Sequence, residues 1–160
     1  MAELPADRLL QPDRSGVSPN DTTVTFPAAR GRTIVVRHTP PDNAVFAILE
    51  VPADSSASGQ MTIGLTVVPG RYGVILSSQP QLPAGTRLTF SYAIHFQAPP
   101  QVPSTSYPTV ARFAEWLGLV HQTGDGTYEF IAHRNPGDDM ISITLPEAGT
   151  YLLAAPVSHP

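Results

Sequence analysis

Eighteen prolines punctuate this chain of 160 residues, and all of them lie in or beside clusters of turn-forming residues. A proline fixes φ and cannot donate a ladder hydrogen bond, so it ends helices and central strands. The segments left between the breaks are short, and many alternate apolar with polar residues, as strands do. The clearest is 81–96, where Leu88, Phe90, Tyr92, Ile94 and Phe96 fall on one face of an extended chain. Thr89, Ser91, Ala93 and His95 fall on the other. Successive side chains of a strand point to opposite faces, so this pattern predicts one half-buried inner strand running to Phe96.

Shorter strand patterns recur at 23–26, 33–37, 44–51, 72–76, 127–133 and 151–155, with polar or proline-glycine breaks between them. Segment 44–51 is apolar on both faces, which marks an interior strand. The Asp125-Gly126 pair is a strong hairpin-turn signal. Segment 109–117 reads in two ways. Val110, Phe113, Ala114 and Leu117 stand at helical spacing with Gly118 as a C-cap. Alternatively, Leu117, Leu119 and His121 alternate into the hairpin; a short helix followed by a strand reconciles the two. The expectation is an all-β, antiparallel, immunoglobulin-like sandwich of roughly eight to nine short strands, with one short helix near 109–117. Residues 1–21 carry Pro5, Pro12 and Pro19 with little periodicity. They read as an extended N-terminal arm, held by a partner or by the domain itself, ahead of a single domain over 22–160.

Composition narrows the function classes. A net charge of −4 with no basic stripe argues against nucleic-acid binding. The chain has no cysteine, which excludes disulfides, thiol catalysis and cysteine metal sites. All nine basic residues are arginine, and charged residues make up 14% of the chain against about 25% in an average soluble domain. So sparse a charge favours a surface partly covered in use. No window is apolar enough to span a membrane, and the N-terminus lacks a signal-peptide pattern. The favoured location is extracytoplasmic, or peripheral to a membrane or virion complex.

Three stretches of the C-terminal half carry a resemblance: LPAGTRLTFSYAI, the paired RFAEWLGLVHQTGDGTYEFIAHR, and the closing ISITLPEAGTYLLAAP. This layout resembles bacterial relatives of the β-sandwich modules found in ankyrins and netrin receptors. The closing GTYLLA is also similar to immunoglobulin-like surface modules. The resemblance implies a non-catalytic interaction domain and supplies no catalytic residues.

Candidate chemistry is sparse. The five histidines, His38, His95, His121, His133 and His159, show no HxH, HxxxH or HExxH spacing, so no local zinc motif exists. His121 and His133 flank the expected hairpin and form a candidate pair. Asp138-Asp139 beside Asn135 reads as a solvated turn, with calcium ligation as its functional alternative. Glu50, Glu115 and Glu129 are the carboxylates on expected elements and read as outward residues, and there is no GxSxG elbow or glycine-rich phosphate loop. Tyr107, Arg112, Trp116, Tyr128 and Arg134 gather near the proline-rich loop and hairpin. Tryptophan, tyrosine and arginine are the usual interface anchors, so these five are the candidate partner-binding residues. The expected function is a non-enzymatic accessory subunit, without cofactor, that docks onto other subunits of a larger assembly. The alternative is a secreted or surface module binding glycans on exposed aromatics.

Overall fold

The computed structural model of the chain describes residues 3–16, 18–93, 95–99 and 107–157. The arm carries β1 (Leu4–Pro5), a 3-10 turn (Ala6–Arg8), β2 (Leu9–Leu10) and β3 (Asp13–Arg14). The body follows as β4 (Thr22–Pro27), β5 (Arg32–Arg37), β6 (Val45–Val51), β7 (Gln60–Val67), β8 (Gly73–Gln79), β9 (Arg87–Ser91) and β10 (Phe96–Gln97). Helix α1 (Val110–Glu115) leads to β11 (Gly118–Gly124), β12 (Thr127–Ile131), β13 (Met140–Thr144) and β14 (Gly149–Pro156). The larger sheet runs β1-β12-β11-β14-β8-β7-β4, with β2 paired to the end of β14. The smaller runs β13-β9-β6-β5, and β3 pairs with β10. Every ladder is antiparallel. The fold is an all-β sandwich.

Alternation places the core. Leu88 and Phe90 of β9 are fully buried; Leu49 and Ala47 of β6 stand opposite them on one side, Ile143 and Ile141 of β13 on the other. From the larger sheet, Ile63, Leu65, Val74, Leu76, Tyr151 and Leu153 join the same cluster. Full burial of a side chain of this size contributes about 1.5–3 kcal/mol relative to exposure. At Gly73 of β8, in register with Leu152 of β14 in the same sheet, a Cβ would sit 2.2 Å from Leu152 Cδ2, so a larger residue there requires that side chain to shift.

The strand expected over 81–96 is shorter than its pattern. Tyr92 leaves the ladder and its N–H donates to the Asp139 carbonyl at 2.8 Å. His95 then takes φ +69°, a left-handed conformation that no strand accommodates. The chain turns a corner, and Phe96 pairs with Arg14 of the arm instead of extending β9. Leu88, Phe90 and Tyr92 are nonetheless core, and Phe96 packs on Tyr92 at 5.6 Å between ring centroids. Ile94 lies outside the described residues.

The arm is bound to its own domain. Leu4 pairs with Tyr128 and Pro5 with Thr127, while Leu9 and Leu10 pair with Pro156 and Ala155. Leu9 closes a second apolar cluster with Val120, Leu152 and Ala154. Leu10 enters the main core. Arg14, 6% exposed, donates from Nε to the Arg71 carbonyl at 2.9 Å and from its terminal nitrogens to Val68 O and Ser18 Oγ. Its guanidinium lies over the Phe46 ring at 5.2 Å, and Asp13 pairs with Arg71. Among the described residues, no helix is long and apolar enough to cross a membrane.

Candidate functional site

Helix α1 is a local consequence of its first residue. Thr109 is extended and its Oγ1 accepts the Arg112 N–H at 3.1 Å, an N-cap that satisfies one free donor of the first turn. Phe113 points inward and is fully buried, which leaves Val110 57% and Trp116 38% exposed. Val110 therefore departs from the expected buried face. The helix ends at Trp116 rather than at Gly118, which already belongs to β11 opposite Ala154. The hairpin then turns at Asp125-Gly126 as its sequence implies, with Gly126 at φ +71°.

The five candidate anchors separate. Trp116 lines a groove of about 330 Å³ with Leu117, Gly118, Phe130, Pro156 and residues 131–133. Arg134 lines an adjoining groove of about 360 Å³ that shares residues 131–133 and adds Arg87, Ser142 and Thr144. The backbone of Arg134 is held by two 2.8 Å hydrogen bonds with Ser142. Arg112 is exposed on the same helix as Trp116 and pairs with Glu115 at 3.4 Å. Tyr107 corrects the expectation of an exposed anchor. It is 2% exposed, its hydroxyl donates to the Pro156 carbonyl at 2.6 Å, and its ring meets Phe113 edge-on at 5.6 Å. Burial raises its pKa. Tyr128 is half-buried, packed against the cluster that the arm covers. Trp116 and Arg134 thus share one trough, while Tyr107 and Tyr128 support the fold.

The other candidates resolve as structural. His121 points inward, stacks on Tyr151 at 4.7 Å and 10°, and lies 3.7 Å from Glu147. It pairs across the hairpin with Glu129, whereas His133 lies beyond β12 near Gly118. Burial lowers the pKa of His133. Asp139 adopts φ +55° in an exposed turn where Asn135 Nδ2 donates to the Met140 carbonyl at 3.0 Å. Neither Asp138 nor Asp139 joins a group of three ligand-capable side chains among the described residues. Glu50 is exposed in register with Arg87.

A different constellation does form. His38 follows β5, Asp42 lies in the 38–44 loop, and His95 is the corner between β9 and β10. One ligand-capable atom from each lies within 4.8 Å of the others. His95 Nε2 contacts Asp42 Oδ2, and the two imidazole centroids are 4.7 Å apart. The loop is closed by the His38 N–H donating to the Ala44 carbonyl at 2.8 Å. Within it, Asp42 Oδ1 accepts the Ala44 N–H at 3.1 Å, so the carboxylate is pinned by one oxygen and presents the other to His95. That hydrogen bond from His95, with the smaller contribution of Ala44, holds the Asp42 carboxyl below its usual pKa. His38 is 2% exposed, with its ring edge-on to Phe46 at 5.8 Å. Among the described residues, these three groups form a set able to hold a cation. Sequence spacing concealed them, since 57 positions separate His38 from His95 and the fold alone joins them.

No protein-family model, curated protein or solved structure matches this chain.

Proposed function

We propose that the chain is a non-enzymatic accessory module that docks onto a larger protein assembly through the trough between Trp116 and Arg134. The observation that carries this reading is the groove pair itself. A partly exposed tryptophan sits at one end, apolar Ile131 and Ala132 lie in the middle, and Arg87 and Arg134 stand at the other. Interfaces concentrate their energy in such buried aromatic and arginine anchors. The matching partner segment carries an apolar side chain for the Trp116 end and a carboxylate for the arginines. The role parallels that of the ankyrin and netrin-receptor modules, which are interaction domains without catalytic residues.

The glycan reading draws less support. A sugar platform needs an open row of aromatics; of Tyr107, Trp116 and Tyr128, only Trp116 is exposed.

The test is mild purification of the native protein with cross-linking, followed by Trp116→Ala and Arg134→Glu. Loss of the same cross-linked partner in both variants, with the melting temperature kept, is the expected result. A native chain that purifies alone, or a partner indifferent to both substitutions, would reject the docking surface.

A further inference from the structure

We propose that His38, Asp42 and His95 bind one divalent first-row transition-metal ion, with Zn2+ as the type. Two imidazoles and one carboxylate converge from three separate segments, with donor atoms within 4.8 Å of one another. An ion pair needs two of these groups. Here the third, the buried ring of His38, closes on the other two.

The donor set selects the ion. Nitrogen donors disfavour Ca2+ and Mg2+, which take oxygen ligands, and with no thiolate in the set the soft Cu(I) is disfavoured. Imidazole with carboxylate suits Zn2+ and its neighbours. Three protein ligands leave at least one coordination position for water. The surroundings of His95 fit as well. Ligating histidines usually donate their other ring N–H to an oxygen, and His95 Nδ1 lies 3.4 Å from Ser15 Oγ. In the loaded state Nε2 of His95 is bare and ligates, Nδ1 carries the ring proton toward Ser15, and any proton displaced from between His95 and Asp42 passes to solvent. The Ala44 N–H holds Asp42 Oδ1, which orients the carboxylate as a one-oxygen ligand. Arg14, the arm's buried cation, has its own acceptors in Arg71 O, Val68 O and Ser18 Oγ.

Gly16 shows how tightly the arm meets this corner. It has φ +81°, and a Cβ there would lie 2.8 Å from the His95 ring. An ion bound at His95 therefore clasps the end of β5, the 38–44 loop, the β9–β10 corner and, through Ser15, the arm. This site is independent of the docking trough.

The experiment uses the full chain stripped with a chelator, then titrated with Co2+ by visible absorption and with Zn2+ by calorimetry. Asp42→Asn removes an exposed ligand, and His95→Asn keeps a residue tolerant of the left-handed backbone; circular dichroism of the metal-free variants verifies folding. His133→Ala is the control. One ion per chain is expected, with binding weakened about tenfold or more by either ligand substitution and unchanged in the control. Zn2+ at a hundredfold excess over Kd should raise Tm by roughly 5 °C or more. Absence of saturable binding at one equivalent, or binding that survives either ligand substitution, overturns the site.

Discussion

Two neighbouring surfaces of the β11–β12 hairpin are built from similar residues and finished differently. On one, Val120, Leu152 and Ala154 would be open to water, but Leu9 seals them, with Leu4 packed alongside. On the other, Trp116 and residues 131–133 line a trough over which no described segment of this chain lies. Phe130 belongs to both, packing beneath the covered cluster and lining the open groove. The chain can thus cover such a surface with two-residue ladders. Where it does so the residues are structural; where it does not, the open surface is the one proposed above for docking.

The largest expected effect breaks the covered side. Leu9→Ala should cost about 2–5 kcal/mol, since Leu9 is 8% exposed and closes that cluster; urea unfolding measures it. Removing residues 1–12 should cost more and raise dye binding to exposed apolar surface. If the shortened chain melts as the full chain does, the arm is no structural cover.

Alkaline pH gives the next effect. Burial pushes the phenols of Tyr72 and Tyr151 up to about 12 from 10.0. The folded state keeps protons that the unfolded state releases, so this stabilisation is complete below pH 10 and lost as pH rises through 12. The slope is at most about 1.4 kcal/mol per pH unit per group. Melting temperatures across that range, compared with Tyr72→Phe, give the measurement.

The uncovered side should respond less in stability. Trp116→Ala is expected to change unfolding free energy by less than about 1 kcal/mol, while abolishing partner cross-linking. A much larger loss would make Trp116 a core residue and blur the contrast. Smallest of all is Arg112→Ala. It breaks an exposed i,i+3 pair with Glu115 and should stay within about 0.5 kcal/mol.

Local periodicity explains why much of this fold was legible in advance. Leu88 and Phe90 alternate into the core and Asp125-Gly126 turns the hairpin, each by rules that span a few residues. Features set by distant contacts were not legible. Nothing local in RLLQPDR marks Leu9 and Leu10 as ladder residues, because a two-residue strand has no period. The run to Phe96 looked continuous because side-chain pattern does not record the backbone sign at His95. Tyr107 read as an anchor because composition cannot tell an exposed phenol from one hydrogen-bonded to Pro156. Trp116 and Arg134 meet along one trough for reasons of tertiary packing, as do His38, Asp42 and His95.

The position of β14 has a consequence for biosynthesis. This strand, residues 149–156, lies inside the larger sheet, between β11 and β8, with β2 taking its far end. A growing polypeptide therefore exposes the facing edges of β8 and β11 until residue 156 has left the ribosome. Closure also gives β2 of the arm its partner. Non-local pairing of this kind folds slowly and leaves strand edges open to wrong partners meanwhile. A nascent chain stalled before residue 149 should be bound by chaperones, and release of eight more residues should end that binding.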